Sequence, residues 1–297
     1  MPRARPAVHG IGVRTHAKQT TKRRGAIFVG TSGWNYPSWR KTFYRGVPQR
    51  GWLAHAAAAF GSLEVNGSFY VQIAPATYRR WRDETPPDFR FAIKGHRFVT
   101  HYKRLRDVER SVVLLRDQAR ALGRKLAVVI WQLPSNFRLD IERLRAFLPT
   151  LHRWRSVRHA IEFRHRSWFT AEVEDLLHRA RVAVCLSDAP DFPLWRAVTT
   201  DFVYVRLHGH TRKYRSRYSR THLARWAADV LTWSSSGRDV YLYFDNDAEG
   251  AAVTDTLAMR AMLGTPTPAI SQRRTQGRRL PRAGEGAITP GGTGSLP

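Results

Sequence analysis

The chain has 297 residues, 42% of them hydrophobic, with ten Trp, ten Tyr and fourteen Phe; this suffices for one large domain, since α/β barrels run past about 200 residues undivided. The formal net charge is +27, and with seven bases in residues 1–25, five in 265–297 and one acid, Glu285, in those two segments, the body still carries +16. Such a surplus favours anionic partners, either nucleic acid or phosphorylated small molecules. A compositional preference for Arg over Lys explains the choice of base but not the excess of bases over acids.

Residues 1–25 are basic and lack the apolar stretch of a secretory signal, so they read as a disordered tail. No run approaches the roughly 20 apolar residues of a membrane span. The lone Cys185 lies in an apolar run and excludes an internal disulfide, as expected of a cytoplasmic, reducing environment. From residue 26, eight short apolar runs follow: Ala26–Gly30, Leu63–Asn66, Phe89–Lys94, Leu126–Gln132, Val157–Phe163, Val182–Leu186, Phe202–Leu207 and Val240–Phe244. They are near-continuous and rich in β-branched and aromatic residues, as strands covered on both faces should be. Helical patterns occupy most of the gaps, at Trp52–Phe60, Thr77–Glu84, Val108–Leu122, Ile141–Leu151, Ala171–Arg179, Leu223–Trp233 and Ala251–Leu263. This alternation predicts a single α/β domain over 26–264, a parallel (β/α)8 TIM barrel. A doubly wound open sheet is the alternative, but Gly30-Thr31-Ser32-Gly33 lacks the third glycine of its phosphate loop. Residues 265–297, rich in Gly, Pro, Thr and Arg, read as a second disordered tail.

Barrels of this kind carry function at the C-terminal ends of their strands. These ends are polar here: Ser32 with Trp34, Glu64 with Asn66 and then Tyr70, Lys94, Gln132, Glu162 with Arg164 and then Trp168, Ser187-Asp188, Arg206 with His208, and Asp245-Asn246-Asp247. Side chains alternate with period two along a strand. Glu64 and Asn66, Glu162 and Arg164, and Arg206 and His208 therefore share faces in pairs. If those faces point into the mouth, Glu64, Glu162 and His208 are candidates for acid/base catalysis. The substrate-binding candidates are Ser32, Trp34, Asn66, Tyr70, Lys94, Gln132, Arg164, Trp168, Arg206, Arg212, Tyr214 and Asn246. The same charges also fit a closed ion-pair network supporting the rim. Trp34 and Trp168 fit either stacking walls or lids on the core, and His96 and His101 read as surface loop residues.

Zinc-type spacing and a GxSxG elbow are absent. A divalent metal held by Glu64, Glu162, His208 and Asp245 is a weaker reading. The segment after the seventh run, His210 to Arg220, holds Arg212, Lys213, Arg215, Arg217 and Arg220 with Tyr214 and Tyr218. It reads as an anion-binding rim, since loops after strands seven and eight often bind phosphate in this fold. The leading expectation is an enzyme acting by acid/base chemistry on a phosphate-bearing substrate, a phosphodiester or sugar phosphate. The alternative is a nucleic-acid-binding protein that uses its basic surface without chemistry.

The ordered strand-end motifs resemble the YecE-like family, a domain of unknown function with a TIM-barrel fold. They are Gly30-Thr31-Ser32-Gly33-Trp34 with Tyr36 and Trp39, Phe43-Tyr44, Glu64-Val65-Asn66 with Phe69-Tyr70, Lys94, Thr100-His101, Trp131-Gln132-Leu133-Pro134, Glu162-Phe163-Arg164-His165 with Trp168, Arg206-Leu207-His208-Gly209 and Tyr243-Phe244-Asp245-Asn246. The resemblance spans residues 26–263 and implies the barrel, with the strand-end cluster as a shared feature. It implies no reaction. Asp245 departs from the family pattern, which has two asparagines at the end of the eighth strand.

Overall fold

The computed structural model describes residues 23–265; the expected tails lie almost wholly outside them. Eight strands, β1 (Ile27–Ser32), β2 (Ser62–Val65), β3 (Arg90–Lys94), β4 (Leu126–Gln132), β5 (Arg158–Glu162), β6 (Val182–Asp188), β7 (Phe202–Leu207) and β8 (Asp239–Phe244), form one closed barrel in sequence order. Every neighbouring pair is parallel, including the closing pair β1–β8. The helices are α1 (Trp52–Ala59), α2 (Gly67–Tyr70), α3 (Pro75–Glu84), α4 (Glu109–Ala119), α5 (Ile141–His152), α6 (Ala171–Ala180), α7 (Arg220–Ser235) and α8 (Ala251–Met262). Ser/Thr and Asp caps fix several starts: Asp140, Thr170 and Ser219 each accept from the backbone N–H three residues on. The β6–β7 connection carries no helix and runs irregularly through 189–201.

Strand alternation separates two cores. Outward residues pack against the helices in one large cluster that includes Val29, Leu63, Phe91, Val129, Ile161 and Val205. Inward residues form a second cluster, whose members include Ala92, Ile130, Ala160, Cys185, Tyr204 and Tyr243. Cys185 is thus an inward-facing filler, and burial pushes its thiol well up. Two residues beyond this layer, on the same inward faces, stand Ser32, Glu64, Lys94, Gln132, Glu162, Ser187, Arg206 and Asp245. The polar site is therefore the top layer of the barrel interior, above an apolar floor.

Two glycines are dictated by geometry. A Cβ at Gly30 would stand 1.8 Å from the Ser62 carbonyl oxygen, so β1 and β2 approach this closely only without a side chain. Gly209 takes φ +106 where the chain leaves β7, with the Arg212 carbonyl 2.6 Å from where a Cβ would lie.

Candidate functional site

Arg206, wholly buried near the end of β7, organises the mouth. Its Nε donates to Glu64 Oε2 at 3.1 Å and its Nη2 to Glu64 Oε1 at 2.8 Å, a two-pronged contact that suits the planar fork. Nη1 donates to Glu162 Oε2 at 2.7 Å, and Nη2 also reaches Asp245 Oδ2 at 2.9 Å. One guanidinium thus ties β7 to β2, β5 and the residue after β8.

The two glutamates are saturated by further donors. Glu64 accepts from Ser32 Oγ and, at 2.5 Å, from Tyr204 Oη. Glu162 accepts from Arg164 Nε at 2.6 Å and from Ser187 Oγ at 3.1 Å. Burial alone would raise the Glu162 carboxyl, but Arg164 and Arg206, with His208, hold it well below the usual range. Asp245 is likewise pushed down by Arg206, His208 and Lys94 against the opposing effect of burial. His208 is fully buried. Its Nε2 is 3.0 Å from Ser187 Oγ. Its Nδ1 is 2.9 Å from Asp245 Oδ2, off the direction of a formed hydrogen bond. Phe192 and Tyr214 cover the ring edge-on from two loops, each with centroids 5.5 Å away.

Lys94 behaves differently. It is only 7% exposed, yet its ammonium has no hydrogen-bond acceptor or ion-pair partner among the described residues and rests 4.2 Å from the centroid of the Phe69 ring. Burial, then repulsion from Arg206, lowers its pKa to about 8, while Asp245, Glu162 and Glu64 oppose the shift. Arg164, two residues past the end of β5, commits only Nε to Glu162 and lays its guanidinium 4.2 Å over the Phe192 ring; its Nη groups have no partner among the described residues. The Gln132 amide between them is also uncommitted among those residues. His101, near both cations, is lowered to about 4 by burial and then by Lys94 and Arg164. One side of the mouth, over β3 to β5, is therefore cationic with free donors. The other side, after β8, is acidic: burial and the Asp245 charge raise half-buried Asp247 to about 6.

The sequence-derived residues are distributed unevenly around this centre. Ser32, Asn66, Lys94, Gln132, Arg164 and Arg206 converge in the mouth beside Glu64, Glu162 and His208. Trp34 lies edge-on to Trp81 at 5.1 Å, packed against the core. Trp168 is wholly buried, with Nε1 donating to the Phe137 carbonyl at 2.6 Å, so it lines the core and not the mouth. Tyr70 is exposed beneath the Arg97 guanidinium. Asn246 points away from the mouth and donates to the Ser216 carbonyl at 2.9 Å and to Asp255 Oδ2 at 2.8 Å, which anchors the loop after β7. Within that loop Arg212 and Arg215 are exposed, Lys213 pairs with Asp191, and Arg217 Nε lies 3.7 Å from Asp255. Glu64, Glu162 and Asp245, which with His208 gave the weaker reading of a divalent-metal site, all accept from Arg206. Among the described residues no cluster of three or more His, Cys, Asp or Glu is arranged to hold a metal ion.

Sequence reasoning missed Tyr204; it placed Ser187 and Asp247 at the polar strand ends and His101 in a surface loop without giving any of them a role in the site. Tyr204 was accessible in principle, since it stands two residues before Arg206 on the same inward face. The depth of His101 and Asp247 depends on how loops fold back over the mouth, and that leaves no local sequence signal.

The fold and site define a (β/α)8 barrel protein with a buried, charge-rich mouth at the C-terminal ends of its strands. The chain belongs to the family described as "Protein of unknown function DUF72", whose model matches residues 28–279. It is 23% identical over 284 residues to UPF0759 protein YunF of Bacillus subtilis, covering 84% of this chain and 98% of that one. It is 28% identical over 155 residues to UPF0759 protein YecE of Escherichia coli, covering 52% of this chain and 54% of that one. Among solved structures, a DUF72 family protein of Thermotoga maritima superposes with a TM-score of 0.73 at 26% identity over 80% of this chain and 99% of that one. An Enterococcus faecalis DUF72 protein gives 0.71 at 17% identity, covering 81% of this chain and 96% of that one. No helix among the described residues is long and apolar enough to cross a membrane.

Proposed function

We propose that the chain is an enzyme that binds a small anionic substrate, by class a sugar phosphate or a phosphodiester, in the mouth and acts on it by acid/base chemistry. The observation that carries this reading is the uncommitted Lys94 ammonium, nearly enclosed and in direct contact with no carboxylate among the described residues, beside the free Nη groups of Arg164. An enclosed cation without a partner is costly, and an incoming phosphate or carboxylate oxygen supplies what is missing. The groups that would meet a ligand are buried, with Lys94 7% and Gln132 5% exposed, which suits a small molecule better than a nucleic-acid strand.

The proton chemistry is assigned by environment. Glu64 and Glu162, occupied by Arg206 and further donors, act as fixed charges that hold the site in shape. Lys94 at about 8 and Asp247 at about 6 lie on opposite sides of the mouth and titrate near neutrality. Such a pair is matched to donating and accepting a proton at pH 7. Lys94 would stabilise or protonate a developing oxyanion, and Asp247 would accept a proton from the substrate. His208, buried beneath Phe192 and Tyr214, would position Asp245 and Glu162 and would not touch the ligand.

A turnover screen over sugar phosphates and phosphodiesters, run on wild type with Lys94→Met and Asp247→Asn, tests this reading. Each variant is expected to lose about 100-fold or more in kcat/KM on whichever compound is turned over. Full activity in both variants, or no binding or turnover of any compound by wild type, would overturn it.

A further inference from the structure

The opposite end of the barrel carries a second concentration of charge. The inward faces of the strands begin there with Arg90 on β3 and Arg158 on β5, above an aromatic layer in which Phe28 stacks on Tyr241 at 4.9 Å and Phe202 meets Tyr241 edge-on at 6.1 Å. Around this floor opens a cleft of about 600 Å³, lined also by Arg124, Arg155, Arg179 and Arg181. Its only acidic lining residue is Asp201, which lies 3.5 Å from Arg181. Arg158 pairs with Asp239 at 2.8 Å and Arg179 with Asp175. Three cations remain without a carboxylate among the described residues. Arg90 donates to the Phe89 carbonyl and lies over the Phe28 ring, Arg155 donates to the His152 carbonyl, and Arg124 has no partner among the described residues.

We propose that this cleft is a second anion-binding site, separate from the mouth, that takes a ligand carrying several phosphate groups. Three guanidinium groups lining one cleft, each keeping at least one Nη group uncommitted among the described residues, offer several donors to phosphate oxygens. Of the aromatic rings beneath them, Phe202 and Tyr241 are buried, and the half-buried Phe28 ring is already stacked by Tyr241 and lies under the Arg90 guanidinium, so no ring offers a free face for a base. Contact would therefore be with phosphates and not with bases, and it would be indifferent to sequence if the phosphates belong to a nucleic-acid strand. A competing explanation is local: α5 and α6 end beside the cleft, and cations near helix C-termini complement their carbonyls. That explanation covers Arg155, Arg179 and Arg181, but not Arg90, which begins a strand.

The test uses full-length protein, tripolyphosphate and a single-stranded oligonucleotide of about ten nucleotides. Binding is measured at about 50 mM and higher salt, for wild type, for the triple variant R90Q/R124Q/R155Q and for Lys94→Met. At least one probe is expected to bind wild type, to weaken ten-fold or more in the triple variant and to be unaffected by Lys94→Met. Binding of tripolyphosphate alone would identify a free polyphosphate as the ligand, and binding of the oligonucleotide would identify a nucleic-acid backbone. Should the triple variant fail to fold, the single variants R90Q and R124Q serve, each expected to lower the salt slope by about one. Unchanged affinity in the substituted proteins, no binding of either probe to wild type, or loss of binding in Lys94→Met would overturn the proposal.

Discussion

Arg206 Nη1 and Glu162 Oε2 lie 2.7 Å apart with both side chains wholly buried, and this contact joins the two halves of the mouth. Charge balance explains why it persists. Glu64, Glu162 and Asp245 face Arg206, Arg164 and Lys94, so the layer is neutral while Lys94 keeps its proton. Replacing Arg206 with Met leaves three buried carboxylates with two cations, only one of them in contact with any carboxylate. We expect a loss of about 3–5 kcal/mol in unfolding free energy, or failure to fold, because an uncompensated buried charge outweighs the packing retained. Denaturant titration checks this; a loss below about 1 kcal/mol would mean that water reaches the network freely.

Lys94 gives the opposite sign. Its folded pKa of about 8 lies below the 10.5 of an unperturbed lysine. Between those values the unfolded chain binds more protons, so stability rises with pH through that window, and the full penalty is present below about pH 8. Lys94→Met should therefore stabilise the protein at pH 7 by about 1–3 kcal/mol, seen as a melting temperature a few degrees higher. The same variant should lose ligand binding. A destabilised Lys94→Met would show that the ammonium has a structural partner.

His159 sets a separate pH dependence far from the mouth. Trp131 Nε1 donates to its Nδ1 at 3.2 Å, and its Nε2 is 3.2 Å from the Trp154 carbonyl, which fixes the neutral tautomer with the proton on Nε2. Burial lowers its pKa to about 4. Because the unfolded imidazole takes up a proton first, stability should fall as pH drops from about 6.5 to 4, by about 3 kcal/mol from this residue. Unfolding free energies across that range should show a shallower decline in His159→Gln; identical slopes would contradict the assignment.

The loop after β7 is anchored by Asp255, which accepts from Tyr218 N at 3.0 Å and from Asn246 Nδ2 at 2.8 Å. Asp255→Ala leaves both donors unsatisfied and should free residues 209–219, and with them Tyr214 above His208. Amide exchange in that loop should quicken about ten-fold or more while β7 and β8 stay protected. Unchanged exchange would place the anchor elsewhere.

Much of this molecule was legible in the sequence. Near-continuous apolar runs such as Val203 to Leu207 have few readings other than a strand buried on both faces, and period-two alternation placed Arg206 with His208 and Glu162 with Arg164. Other features depend on tertiary arrangement. That Glu64 and Glu162 share one guanidinium follows only from barrel closure. Trp168 and Asn246 carry strand-end positions in the sequence, yet one turns into the core and the other toward α8. The helix expected over Val108–Leu122 ends as α-helix at Ala119 and tightens into a 3-10 turn through Arg120–Lys125, with Gly123 at φ 58.

The most direct measurement is a calorimetric titration of glycerol phosphate into wild type and Lys94→Met across pH 7 to 9.5. Wild-type affinity should be constant below about pH 8 and fall toward ten-fold per pH unit above it, as the Lys94 ammonium loses its proton; Lys94→Met should bind at least ten-fold more weakly at pH 7 and show no such fall. Equal affinity in the two proteins, or a wild-type affinity that does not change between pH 8 and 9.5, would contradict an anion site built around Lys94.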